Sequence, residues 1–164
     1  MIYEGLLEEG LSIVRGVRER HDGYRRNPWN EFECGSHYSR SMASWAVLTA
    51  LSGFSFDMTA QRVGFAPRYE PERFRAFWSL GSGWGIYRQM VGKKKTRAAL
   101  RVLYGDLKLK TLSLGTLAKS GKVRVIVNGE IRRAKVEAEG EGITVTFAEP
   151  LYLKAGDEVR IRIS

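Results

Sequence analysis

A single cysteine, Cys34, stands in the 164 residues. No internal disulfide framework is therefore available, and the cytoplasm is the expected compartment. The two histidines, His21 and His37, form no zinc spacing with that cysteine, so neither a metal nor another cofactor is expected. No apolar run approaches the ~20 residues of a membrane span. The first ten residues, MIYEGLLEEG, lack the layout of a signal peptide. What is present is a folding chain: 43% hydrophobic and 11% aromatic residues exclude a disordered polymer and provide a real core.

The net charge of +9 suggests nucleic acid at first sight. Residues 1–83, however, hold 10 Lys/Arg and 10 Asp/Glu, whereas residues 84–164 hold 17 and 8. The whole excess lies in the second half, where the secondary-structure pattern also changes. The run Lys93-Lys94-Lys95 reads as a solvated loop between strands, because no aromatic stacking pattern surrounds it. No specific nucleic-acid partner is expected.

Residues 2–20 read as a helix with Ile2, Leu6, Leu7, Leu11, Val14 and Val17 on one stripe. Gly5, Gly10 and Gly16 weaken it by about 1 kcal/mol each and make sense only under close packing. The helix starts at Met1 with no lead-in, as expected of a chain cut from a larger one. His21-Asp22-Gly23 is a turn. Pro28 keeps residues 25–35 in a shaped loop. Ser36 as N-cap and Gly53 as C′ residue bound a helix that is apolar on most of its circumference, hence expected to be buried on several sides. Residues 54–71 show no sustained period, contain Pro67 and Pro71, and read as loop with at most one short helical turn. Alternation at Phe74, Ala76 and Trp78 indicates a strand, and Gly81-Ser82-Gly83-Trp84-Gly85 a tight or bulged connection. From Ile86 onward apolar residues recur with period two, through Val123/Val125/Val127, Ile143/Val145/Phe147 and Val159/Ile161/Ile163. Asn128-Gly129, Gly140 to Gly142 and Ala155-Gly156-Asp157 mark turns. This predicts an antiparallel module of six or seven strands, one face wet and rich in Lys and Arg.

The glycines at 81–85 lack the residues of a phosphate loop. Cys34 and His37 could touch as a thiol–imidazole pair, but a buried structural cysteine accounts for Cys34 more simply. The group at 29–40 is richer. Glu31, Glu33 and Arg40, with His37 and Trp29, have two readings. One is a structural ion pair that orders the loop before the helix. The other is a sugar site, in which polar groups take hydroxyls and indole rings cover apolar ring faces.

The run RNPWNEFECGSHYSRSMASWAVLTALSGF resembles the C-terminal part of glycoside hydrolase family 116, which contains the bile-acid β-glucosidase and non-lysosomal glucosylceramidase. The later FRAFWSLGSGWGIYRQ is similar to sequence that follows in that family, and the resemblance covers about residues 5–90. It implies an (α/α)6 barrel that cleaves β-glucosides with retention through a glutamate nucleophile and an aspartate acid/base. It also implies that a glutamate and an arginine nine residues later hold glucose hydroxyls, a spacing that Glu31 and Arg40 reproduce. Ser36 departs from the acidic or amide residue expected there. Neither catalytic carboxylate has a counterpart in this chain.

The expectation is thus an α+β chain. Residues 1–83 would supply the last helices of the (α/α)6-barrel catalytic domain, and residues 84–164 a small antiparallel β module. Substrate-binding residues would be Glu31, Arg40, His37, Glu33 and Trp29, with a β-glucoside or glucosylceramide-like substrate. A companion chain carrying the rest of the barrel, or a homo-oligomer, would complete it, and the chain alone would be inactive. The alternative expectation is a non-enzymatic module whose basic sheet binds an acidic partner.

Overall fold

The computed structural model describes residues 1–27, 41–92, 95–115, 117 and 121–164, with the side chains of helix 41–52 described from residue 45. It divides into two compact units, Met1–Leu51 and Ser52–Ser164.

In the first unit a 3-10 turn, Ile2–Glu4, precedes α1, Leu7–Arg20. The continuous helix expected over 2–20 is interrupted because Gly5 adopts φ +87° and its N–H bonds back to the Ile2 carbonyl. Only glycine enters that left-handed conformation without strain. Gly10 has the tight packing expected of it: a Cβ there would lie 2.6 Å from Ile2 Cγ1. Gly16 has no such neighbour. After α1 the Asp22 carboxylate accepts the backbone N–H groups of Tyr24 and Arg25, both at 2.9 Å, which closes the expected turn. Helix α2, Ser41–Ser52, ends where Gly53 turns left-handed at φ +56°, as its C′ glycine predicts. It is more open than its composition suggests, since Trp45 is 57% exposed.

The second unit is built from β1 (Ser55–Asp57), β2 (Arg62–Phe65), β3 (Arg73–Leu80), β4 (Gly83–Val91), β5 (Thr96–Leu114), β6 (Val123–Val127), β7 (Glu130–Arg132), β8 (Lys135–Glu139), β9 (Gly142–Lys154) and β10 (Glu158–Ile163). Strand β5 organises them. Its first half pairs with β4 and β10, and its second half with β2 and β9. One sheet therefore reads β1-β2-β5-β9-β8 and the other β3-β4-β5-β10-β6-β7, with β5 common to both. The change of sheet falls at Gly105, φ +70°, where a Cβ would stand 2.1 Å from the Ser82 carbonyl oxygen. Inward side chains of the two sheets form one hydrophobic cluster that includes Leu100, Val102, Val159 and Ile161 from one and Leu107, Leu112, Val145 and Leu153 from the other.

The expected fold class is overturned. An α+β chain ending an (α/α)6 barrel, with a small antiparallel module attached, is replaced by a chain dominated by strands: ten of them against two α-helices among the described residues. The expected module does contain seven strands, β4–β10, but β1, β2 and β3 precede it. β1 and β2 are three and four residues long, too short for alternation to register, so their sequence looks like loop. Their place is fixed from a distance: β2 pairs with β5 in parallel, Arg62 opposite Thr111 and Phe65 opposite Leu114. That parallel pairing also makes the β unit mixed instead of purely antiparallel. No described helix is long and apolar enough to cross a membrane.

Candidate functional site

Trp29, Glu31, Glu33, His37 and Arg40, expected to hold a sugar, lie outside the described residues. The structure assembles a different constellation on the outer face of the sheet β3-β4-β5-β10-β6-β7. Period-two alternation sends Trp78, Tyr87, Leu100 and Ile161 inward and their polar neighbours outward. Register then sorts the outward residues into rows. Arg73, Met90, Arg97, Arg162 and Arg124 lie opposite one another on five neighbouring strands. The next row runs Arg75, Arg88, Ala99, Arg160, Ile126 and Ile131. The third places Arg101 opposite Glu158.

Among the described residues, the paired segments of this face thus carry eight arginines and a single carboxylate, with Lys95 and Lys122 at the border. Glu158 does not pair with Arg101 across from it. Its carboxylate takes a 2.8 Å bond from Arg88 and another from Arg160 Nε. The Glu158 side chain is 11% exposed, while those of Arg88 and Arg160 are 60% and 46% exposed. The other six arginines of the face make no ion pair or side-chain hydrogen bond with any described residue. Across the core the opposite sheet treats charge differently: Arg62 meets Glu139 at 3.1 Å, Lys135 meets Glu137 at 2.9 Å, and Lys110 donates to the Ala148 carbonyl.

Two local devices shape the face. The first is the turn Asn128-Gly129, φ +51° and +90°, the left-handed pair that a two-residue hairpin needs. Asn128 Nδ2 donates to Asp157 at 2.8 Å, and Asn128 Oδ1 accepts the Glu158 N–H at 2.9 Å. Asp157 also accepts the Lys154 N–H at 2.7 Å. These bonds fix the β6–β7 and β9–β10 turns against each other. Between them opens a groove of about 530 Å³ lined by Arg101, Asn128, Gly129, Gly156, Asp157, Glu158 and Arg160. The second device is an aromatic corner. Trp84 and Tyr104 stack at 6.2 Å with planes 20° apart, and Phe77 meets Trp84 at 6.4 Å. Tyr104 is 66% exposed.

A wet, basic face is expected from the sequence, but not this gathering of arginines into rows. The signal was partly present as Arg-x-Arg at 73/75 and 160/162. That both pairs join one array depends on strand order, which no local pattern carries. No family model matches the chain, and no curated protein matches it either.

Proposed function

We propose that this chain is the sugar-binding, C-terminal portion of a retaining β-glucosidase-like glycoside hydrolase that works in the cytoplasm. The observation that carries the reading is the motif at 27–40, NPWNE-x-ECG-x-HY-x-R, in which Glu31 and Arg40 keep the spacing of the hydroxyl-binding pair it resembles. Glu31 and Arg40 hold glucose hydroxyls remote from the bond that is cut, and Trp29, Glu33 and His37 line the same subsite. Arginine suits this role because its planar fork serves a carboxylate and a hydroxyl together. The nucleophile and acid/base come from a companion chain or a further part of the protein, so these residues bind and position without transferring a proton.

The test is kinetic. The chain is combined with a partner carrying the two carboxylates, and glucoside turnover is compared with that of Glu31→Gln. Turnover should fall about 10²-fold, or ~2.7 kcal/mol of transition-state stabilisation, with both limbs of the pH–rate profile in place. Unchanged turnover, or a shifted limb, would refute the assignment.

A further inference from the structure

We infer that the arginine face of the sheet β3-β4-β5-β10-β6-β7 is a docking surface for an acidic protein partner, independently of any sugar site. The face carries an electrostatic cost. Arg97, Arg162 and Arg124 stand directly opposite one another on adjacent strands, as do Arg75 and Arg88. Like charges opposed across a ladder destabilise a sheet, and a face needing only solubility would intersperse signs. The opposite sheet does so; this one does not.

The choice of cation points the same way. Lysine solubilises as well as arginine does, and residues 84–164 contain nine lysines. Among the described residues, every cation within the paired segments of this face is an arginine, and lysine stands only at its border, as Lys95 and Lys122 one residue before β5 and β6. Arginine differs from lysine in offering two parallel N–H donors to one carboxylate and in being weakly hydrated, which matters only when a partner displaces water.

The neighbouring side chains favour a protein over other polyanions. Interface cores are enriched in arginine, aromatics and methionine and depleted in lysine and acids, and arginine, tryptophan and tyrosine dominate hot spots. Here Trp84, Tyr104 and Met90 are exposed on the same face as the arginines. The arginines also form two adjacent rows over five strands, broader than the single line that one nucleic-acid strand needs. Six strands at about 4.8 Å spacing and roughly 20 Å of their length make a face of the order of 500 Å² in projection. That is near the ~800 Å² of accessible surface that one partner contributes to a specific complex. Arg101, on the wall of the groove and without an ion pair, is placed to receive an acidic side chain of the partner.

The experiment uses the full chain and an acidic probe peptide of Glu, Asp and Tyr residues, titrated by calorimetry at physiological salt. Arg97→Gln with Arg162→Gln should weaken binding about 30-fold or more, while Lys108→Gln with Lys154→Gln on the other sheet, of equal charge change, should alter it less than about 3-fold. The arginine double variant should also unfold at the same or a higher denaturant concentration, because it relieves a like-charge pair. Equal losses from both double variants would overturn the inference. So would destabilisation by the arginine variant, or tighter binding of a single-stranded oligonucleotide or of phosphatidylserine vesicles than of the peptide.

Discussion

The ring of Phe65 on β2 lies flat on the ring of Tyr87 on β4, centroids 4.0 Å apart and planes 5° from parallel. The two strands belong to different sheets, so this contact ties the two layers together at the centre of the core. Tyr87 is fully buried, and its hydroxyl donates to Gln89 Oε1 at 2.6 Å. Gln89 Nε2 passes the chain on to the Pro71 carbonyl, also at 2.6 Å.

Tyr87→Phe keeps the stack and leaves the buried Gln89 oxygen without its donor. It should cost about 1–2 kcal/mol in urea unfolding at pH 7. Burial pushes the Tyr87 phenol well above its ordinary value. Its folded-state pKa is raised, so the associated stability is complete below about pH 10 and declines above it. The gap between wild type and Tyr87→Phe should therefore narrow above that pH. A gap that stays constant into the alkaline range contradicts the assignment.

Two glycines should separate close approach from backbone conformation. A Cβ on Gly85 would lie 1.9 Å from the Arg101 carbonyl oxygen, at the bulge between Trp84 and Gly85. Gly140 has φ +58° and open space around it. Gly85→Ala should cost more than about 3 kcal/mol, as overpacking against immovable backbone does. Gly140→Ala should cost about 1 kcal/mol, for the left-handed conformation alone. Thermal unfolding of both variants checks the order.

Glu158 links β10 to β4 through Arg88 and binds Arg160 on its own strand. Glu158→Gln removes the single carboxylate from a face of eight arginines. It should destabilise by about 2–3 kcal/mol at low salt, from lost charge-assisted bonds and unrelieved repulsion. Added salt should recover part of that loss, because the arginines are exposed. Unfolding at 20 mM and 500 mM salt (about 20 and 4 Å screening lengths) measures it.

Glu139 gives the acid limb. Its carboxylate is held below the usual range by the Thr144 hydroxyl first and by Arg62 second. A lowered folded-state pKa means stability present above the ordinary carboxylate value and lost as pH falls through the folded one. Glu139→Gln should therefore flatten stability between pH 5 and pH 3 (the range around the ordinary carboxylate pKa of about 4.3). The effect is small, since both side chains are largely exposed. Chemical unfolding at the two pH values reads it.

Sequence alone determined whatever rests on local stereochemistry. Gly53 ended α2, Asn128-Gly129 made the hairpin, and alternation marked β3, β5, β6, β8, β9 and β10, because cap, turn and pleat are set by a few adjacent residues. It also carried the motif around Glu31 and Arg40. Tertiary structure decided what depends on distant partners. Gly5 broke the first helix once Ile2 was packed on Gly10. β1 and β2 became strands because β5, nearly fifty residues later, offers β2 an edge to pair with. The arginine face was legible only as scattered cations. Hydrogen bonding across β3, β4, β5, β10 and β6 turned them into one surface, since register aligns residues that sequence separation keeps apart.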